Sequence, residues 1–189
     1  MPENPLAVHT NKDSEELAGS LEEKLLGEAG VGLAGRRCQT EDEVIELARE
    51  AEVILNGVAP ITRRVLESLP RCLVVARYGV GVDNVDLEAA TEQGIALVYV
   101  PDYSIEEVSN HVIALILTWA KQVVVLDQAV RRGQWEQRFA VELQSVHGQT
   151  LGVIGAGRIG MATARKAMAL SMDVVVYDPY VDPTLLEEK

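Results

Sequence analysis

Residues 151–160 read LGVIGAGRIG, and this stretch decides the fold class of the part of the chain around it. Three glycines, Gly155, Gly157 and Gly160, follow a short apolar run and precede a segment rich in Ala, Arg, Lys and Met, which favour helices. A second apolar run, DVVVYD (173–178), comes next. The order of strand, glycine turn, helix and strand is the context that a dinucleotide-binding GxGxxG turn requires.

Each glycine of this turn has its own predicted duty. Gly155 permits the tight bend, Gly157 lets the backbone approach a pyrophosphate, and Gly160 lets the helix pack closely on the sheet. The N–H groups at the start of the helix, around Arg158 and Ile159, face the anion, and the helix dipole favours it. The alternative is a strand–turn–helix that binds no ligand and leaves Arg158 on the surface.

Asp178 ends the second strand, 18 residues after Gly160. A carboxylate at this place accepts hydrogen bonds from two ribose hydroxyls and repels a 2′-phosphate. No arginine follows it in residues 179–189 to receive such a phosphate. The sequence therefore predicts NAD rather than NADP, and the alternative is a solvated aspartate.

The composition excludes several classes of partner. The 189 residues are 48% hydrophobic and 24% charged, as in ordinary globular proteins, and the net charge of −12 repels nucleic acid and anionic membranes. The longest apolar stretch, residues 112–120, is shorter than the roughly 20 residues that cross a bilayer; we expect a helix buried on most sides. Cys38 and Cys72 form no metal-binding pattern, so we expect buried thiols, no metal and, without a signal peptide, a cytoplasmic location.

Short apolar runs alternate with helical patterns along the chain. This alternation predicts an α/β fold whose parallel strands are covered on both faces. The Val100-Pro101 step marks a boundary, because a proline holds the preceding residue in extended geometry. The predicted strands are 5–10, 53–55, 73–76, 95–100, 150–155 and 173–178; the predicted helices are 14–29, 41–50, 61–69, 104–132 and 158–171, with a connector at 133–139.

A second glycine-rich stretch, RYGVGVDNVD (77–86), follows one of the buried strands. Its glycines leave the backbone N–H groups of Val80 and Gly81 unshielded, and such groups can bind a carboxylate as a small anion nest. The same residues also suit a tight strand-to-helix turn in which Asp83 or Asn84 caps the helix. Local chemistry does not choose between the two interpretations.

Taken together, these stretches resemble one family, the NAD-dependent D-isomer-specific 2-hydroxyacid dehydrogenases. The order RYGVGVDNVD, EQGIALVYVP, LGVIGAGRIG and VVVYDPY is similar to the running pattern of that family over about residues 50–183. The branch of D-3-phosphoglycerate dehydrogenase and the C-terminal binding protein corepressors is the most similar. The resemblance implies an incomplete flavodoxin-like substrate lobe (1–100) and the first half of a Rossmann nucleotide-binding lobe (101–189), which together form a truncated protein.

The resemblance also implies roles for particular residues. The parent protein would transfer a hydride between NAD and the C2 hydroxyl or keto carbon of a 2-hydroxy acid. Val80 and Gly81 would bind the substrate carboxylate, and the segment 104–150 would supply a homodimer interface. The residues that would hold NAD are Gly155, Gly157, Arg158, Ile159, Gly160 and Asp178.

The sequence departs from the family pattern at two places. Asn56 stands where phosphoglycerate dehydrogenases usually carry a basic residue, which weakens the case for a phosphorylated substrate. In PDYSIEEVSNH (101–111), Ser109-Asn110 replaces the usual Ala-Glu or Ala-Asp pair. The PxYS pattern there is similar to D-lactate dehydrogenases, so Tyr103 is a candidate substrate contact; the alternative is an aromatic packed between the lobes.

The catalytic histidine, glutamate and arginine of the family follow the ribose-binding aspartate. We therefore expect the catalytic residues beyond Lys189 and expect this chain alone to be inactive. His9, His111 and His147 lack a partner glutamate at a motif position, so none is assigned as the base. The alternative function is a non-catalytic, NAD-binding, dimerising regulator similar to the C-terminal binding protein corepressors.

Overall fold

A computed structural model describes residues 5–135, 142–182 and 184. The chain divides into two compact units, Met1–Asp102 and Tyr103–Lys189, each containing a parallel sheet. The division falls two residues after the predicted boundary at Val100. The assignment of these units as substrate lobe and nucleotide lobe stays a prediction.

Five parallel strands form the sheet of the first unit. Their spatial order is β2-β1-β3-β4-β5, which is the flavodoxin-like order, so the predicted fold class is confirmed for this unit. The order reverses between β1 and β3, which lie side by side although β2 separates them in sequence. The strands are β1 (Leu6–His9), β2 (Gly32–Gly35), β3 (Val53–Asn56), β4 (Val74–Arg77) and β5 (Ala96–Tyr99).

The helices of the first unit begin at polar caps and cover the sheet. Ser20, Thr40, Thr62 and Asp86 each accept a hydrogen bond from a backbone N–H in the first turn of the following helix. The core consists of fully buried aliphatic side chains from strands and helices, including Val8, Ile54, Val75, Val44 and Leu66. The helices are α1 (Ser14–Leu17), α2 (Leu21–Glu28), α3 (Glu41–Ala48), α4 (Arg63–Glu67) and α5 (Leu87–Glu92).

Two predictions for the N-terminal region are wrong. The single helix predicted over 14–29 is two helices, because Gly19 adopts a left-handed φ of 75° and Ser20 then caps a new helix. The sequence predicts no strand at β2, because GLAG contains little apolar pattern. Pairing with β1, from Leu6 with Gly32 to His9 with Gly35, makes this segment a strand.

Cys38 and Cys72 are free and buried, as predicted. Burial raises the pKa of the Cys72 thiol to about 11, so this thiol stays protonated at neutral pH. Within the described ranges, no cluster of three His, Cys, Asp or Glu side chains could hold a metal ion.

The second unit contains a strand–helix–strand unit covered by a further helix. Strands β6 (Thr150–Ile154) and β7 (Asp173–Tyr177) pair in parallel, and α8 (Arg158–Ala169) connects them. Helix α6 (Ile105–Ala120) packs against α8, and α7 (Val123–Arg131) follows α6. This arrangement is the predicted first half of a Rossmann lobe.

The prediction of one continuous helix over 104–132 is wrong. The helix breaks at Gln122, which adopts a left-handed φ of 51°, and the axes of α6 and α7 are bent by 60°. Helix α6 is also less buried than predicted, since Leu115 and Trp119 are exposed. Residues 136–139 of the predicted connector lie outside the described residues.

No single helix in the described part of the chain is long and apolar enough to cross a membrane. Helices α6 and α7 pass this test of length and composition only when taken together, as a bent pair.

Candidate functional site

The glycine turn of the second unit has the geometry that its sequence predicts. Gly155 follows β6 with a φ of 104°, which favours glycine, and its N–H donates to the Tyr177 carbonyl oxygen at 2.7 Å. Helix α8 begins at Arg158, directly after the turn. The turn is therefore anchored to the end of the neighbouring strand β7.

Gly157 and Gly160 need to be glycine for different reasons. A Cβ at Gly160 would overlap the carbonyl oxygen of Gly155, so the first turn of α8 passes against the backbone of the turn. A Cβ at Gly157 would meet no atom of the described residues within 4 Å, apart from its neighbours along the chain. Open space over Gly157 is what close approach of a ligand requires, whereas the space at Gly160 is already filled by the protein.

Asp178 closes the turn from the adjacent strand. Its Oδ2 accepts a hydrogen bond from the Ala156 N–H at 2.7 Å, and its Oδ1 accepts one from the Tyr180 N–H at 2.9 Å. These bonds, with that from Tyr180 the stronger influence, lower the pKa of the carboxyl. Each carboxylate oxygen has a second lone pair, so the group can still accept from hydroxyls of a ligand.

Arg158 and Ile159 are exposed at the N-terminus of α8. The first N–H groups of a helix lack intrahelical partners and carry the positive end of the helix dipole. The structure thus brings together the predicted residues of the second unit in one place: Gly155, Gly157, Arg158, Ile159, Gly160 and Asp178.

The glycine-rich loop of the first unit follows β4. Gly79 has a φ of 139°, and a Cβ there would overlap the Arg77 guanidinium. Val80 and Gly81 are exposed. Neither backbone N–H has a hydrogen-bond acceptor in the described part of the chain, as an anion nest requires.

The capping role considered for Asp83 or Asn84 is wrong. Asp86 caps α5, because its side chain accepts a hydrogen bond from the Ala89 N–H at 2.8 Å. Asn84 instead accepts from the Arg77 Nε at 3.1 Å and donates to the Ala59 carbonyl oxygen at 2.8 Å. It therefore ties the 77–86 loop to the loop after β3.

Asn56 is buried, and its side-chain amide is hydrogen-bonded within the protein. It accepts a hydrogen bond from the Thr10 hydroxyl at 2.6 Å and donates to the Ala59 carbonyl oxygen at 3.1 Å. The two hydrogen bonds of this buried, neutral side chain join the segments after β1 and β3. The side chain has no charge with which to bind a phosphate.

Tyr103 is the first residue of the second unit, and 62% of its surface is exposed. Val80 and Gly81 belong to the first unit. The proposed contact of Tyr103 with a substrate stays a prediction.

A cavity of about 400 Å³ lies at the carboxyl ends of β1, β3 and β4. Its lining includes His9, Lys12, Gly57 and Tyr78, each of which closely follows or ends a strand. Ligands of open α/β sheets bind at this edge, where the strand order reverses. Sequence reasoning missed the cavity, although the positions of these residues directly after strands β1 and β3 could have indicated it.

The chain is similar to known proteins along most of its length. Residues 11–176 match the family described as D-isomer specific 2-hydroxyacid dehydrogenase, catalytic domain. D-3-phosphoglycerate dehydrogenase of Methanocaldococcus jannaschii is 37% identical over 149 residues, which cover 78% of this chain and 28% of that protein. Glyoxylate reductase of Korarchaeum cryptofilum is 34% identical over 139 residues, covering 71% and 42%.

Solved structures show the same similarity. The chain superposes with a TM-score of 0.79 on D-lactate dehydrogenase from Aquifex aeolicus in complex with NAD and lactic acid, at 28% identity, covering 96% of this chain and 54% of that one. It thus spans about half the length of this structure and between a quarter and a half of the two curated relatives. The chain belongs to the family of D-isomer-specific 2-hydroxyacid dehydrogenases.

Proposed function

We propose that the protein containing this chain is an NAD-dependent D-2-hydroxyacid dehydrogenase. The observation that carries the proposal is the closed turn of the second unit, in which Asp178 bonds the Ala156 N–H beside the open face of Gly157. The family membership of the chain indicates the class of reaction, and this turn indicates the cofactor.

The second unit holds the dinucleotide. Gly157 and the N-terminus of α8 at Arg158 and Ile159 receive the pyrophosphate, and Asp178 accepts the adenosine ribose hydroxyls. The Asp178 carboxylate also repels a 2′-phosphate, which favours NAD over NADP. NAD, when bound, supplies the hydride acceptor of the reaction.

The first unit holds the substrate carboxylate. The N–H groups of Val80 and Gly81, which have no acceptor among the described residues, donate to it, and the left-handed Gly79 gives the loop the shape in which both are exposed. Tyr103 is a further substrate contact. The substrate is a small 2-hydroxy or 2-keto acid without a phosphate group, because Asn56 is neutral and buried.

The segment 104–150 forms a homodimer interface. Trp119, Val123, Val124 and Val125 of α6 and α7 are exposed, which suits such a surface, while Leu126 is half-buried. We propose a cytoplasmic location for this homodimer. This exposed apolar face is also what favours the second candidate function, a non-catalytic NAD-binding regulator that acts as a dimer.

Two measurements test the proposal. The full-length protein that contains this sequence should oxidise NADH with a short 2-keto acid such as pyruvate, glyoxylate or hydroxypyruvate, followed at 340 nm. Titration of the 189-residue chain should show binding of NADH and weaker binding of NADPH by cofactor fluorescence. Failure of every short 2-keto acid with retained NADH binding would favour the regulator, and absence of NADH binding by the full-length protein would refute both functions.

A further inference from the structure

His9 is a buried imidazole whose tautomer is set by its neighbours. It ends β1 with only 3% of its surface exposed, and its Nδ1 accepts a hydrogen bond from the Asn11 N–H at 3.1 Å. An Nδ1 that accepts leaves the proton of the neutral ring on Nε2. Burial, followed by the charge of Lys12, lowers the pKa of His9 and so keeps the ring neutral near pH 7.

The Nε2–H of His9 has no acceptor in the part of the chain that the structure describes. Among the described residues, Arg36 Nε is the only fully buried polar side-chain atom without a hydrogen-bond partner. The His9 Nε2, which also lacks a partner, is therefore not fully buried. His9 lines the cavity at the carboxyl ends of β1, β3 and β4, and this cavity is where a ligand could reach the Nε2–H.

The charged side chains of this cavity are already paired. Lys12 Nζ lies 2.6 Å from a Glu22 carboxylate oxygen, and Arg37 Nη2 lies 2.6 Å from one of Glu16, with Asp13 also close to Arg37 at 3.7 Å. Two cations therefore face three carboxylates. This balance disfavours a further negative charge and favours a neutral ligand group.

The cavity adjoins the loop that we assign to the substrate carboxylate. Tyr78, whose ring centroid lies 5.4 Å from that of His9, lines the cavity and stands two residues before Val80. The Tyr78 N–H donates to the Asn56 carbonyl oxygen at 2.8 Å, which fixes the start of this loop against β3. The loop that we assign to the substrate carboxylate therefore begins at this edge of the sheet, beside the cavity.

We propose that the His9 Nε2–H donates a hydrogen bond to a neutral oxygen, such as a hydroxyl, on the C3 substituent of the 2-keto acid. This inference rests on the proposed function and adds a residue that selects the substrate. A substrate with an aliphatic group at this position leaves the buried donor unpaired, which a hydroxyl-bearing substrate avoids. His9 acts in specificity and takes no part in the hydride transfer.

The test compares two ligands of nearly equal shape on the 189-residue chain, hydroxypyruvate and 2-oxobutyrate, by nuclear magnetic resonance titration with ¹⁵N labels. Both should shift the amide signals of Val80 and Gly81, and only hydroxypyruvate should shift the Nε2 signal of His9. Hydroxypyruvate should also bind about 10-fold more tightly, the usual order for one satisfied buried donor.

Two variants separate the role of the donor from that of the ring. His9→Phe keeps a packed ring and removes the donor, so the 10-fold ratio should fall to about 1. His9→Gln places an N–H donor at a similar reach and should restore part of the ratio. Equal affinities in the unmodified chain, or an unchanged ratio in His9→Phe, would overturn the role of His9 while leaving the carboxylate loop intact. Absence of shifts at Val80 and Gly81 with either ligand would instead overturn the carboxylate loop and this inference with it.

Discussion

The carbonyl oxygen of Gly155 occupies the space in which a side chain at Gly160 would begin. We therefore expect Gly160→Ala to destabilise the second unit. Alanine gains about 1 kcal/mol of helix propensity over glycine, but overpacking against a backbone atom costs about 1–3 kcal/mol or more and should win. Both tryptophans, Trp119 and Trp135, belong to this unit, so the urea midpoint of tryptophan fluorescence measures the loss.

Gly157→Ala is the matched control for this substitution. Its Cβ would meet open space, and its φ of −67° suits alanine, so the free energy of unfolding should change by less than about 1 kcal/mol. NADH affinity should nevertheless fall, because the added methyl stands where the pyrophosphate approaches. Equal stability losses in both variants would contradict the separate roles of the two glycines.

Asp178→Asn should weaken NADH binding and reduce the preference for NADH over NADPH. The substitution removes the charge that repels a 2′-phosphate, and its amide end cannot accept one of the two N–H groups that Asp178 now binds. Fluorescence titration with both cofactors measures the affinities. We expect about a 10-fold loss for NADH, since hydrogen bonds to charged groups contribute about 1.5–3 kcal/mol.

Asp182→Asn is the control for the loss of one negative charge in this region. Asp182 also accepts a backbone hydrogen bond, from the Thr184 N–H at 3.0 Å, but it does not contact the glycine turn. Its substitution should leave both affinities unchanged. If the two variants behaved alike, the effect at Asp178 would be one of net charge and our assignment would fall.

The glycine turn could be predicted from the sequence because a separate local constraint determines each of its glycines. A left-handed bend at Gly155, open space at Gly157 and close packing at Gly160 require glycine at fixed spacing, and a carboxylate at the end of the next strand completes the pattern. The parallel strands were also predictable, since buried strands appear as continuous apolar runs.

Features without a signal in the local sequence could not be predicted. Strand β2, GLAG, has no strand signal of its own and exists because β1 pairs with it. The break at Gln122 occurs in a residue that commonly continues a helix. The role of Asn84 depends on Ala59, 25 residues away, which a local capping argument does not consider.

Gly79→Ala should disrupt the carboxylate loop of the first unit. Its φ of 139° is a conformation that L-residues rarely adopt, and its Cβ would displace the Arg77 guanidinium. We expect that adding a 2-keto acid will no longer shift the amide signals of Val80 and Gly81 in magnetic resonance spectra. The free energy of unfolding, measured by circular dichroism, should also fall.

Gly94→Ala controls for the cost of a left-handed backbone alone. Gly94 has a φ of 69°, but apart from its chain neighbours no atom of the described residues lies within 4 Å of its Cβ position. This variant should lose about 1 kcal/mol of stability and keep its response to 2-keto acids. A Gly79→Ala chain that still bound them would show that the loop does not need its present shape.

The stability of the first unit should fall as His9 is protonated. The folded-state pKa of His9 lies below the ordinary value of 6.5, because burial and Lys12 outweigh the opposing charges of Glu22 and Glu16. The unfolded chain therefore binds the proton first, so the contribution of the neutral ring is present above pH 6.5 and is lost as the pH falls through the lower folded value.

Urea midpoints by circular dichroism at pH 7.5 and 5.5 measure this dependence. The unmodified chain should lose more stability between these two values than His9→Phe, which has no proton to bind at this position. Equal losses in the two chains would show that His9 does not titrate differently in the folded and unfolded states.

Val124→Lys should separate the proposed homodimer. Val124 lies on α7 with 55% of its surface exposed, beside Val123 and Val125 in the segment assigned to the interface. A buried lysine charge at an apolar interface is costly, so light scattering should show a dimer for the unmodified chain and a monomer for the variant. Leu25→Lys is the control, because Leu25 has the similar exposure of 54% on α2 of the first unit and should leave the dimer intact. A monomeric unmodified chain, or dissociation by both substitutions, would refute this interface, whereas dissociation by Val124→Lys alone would place it on α7.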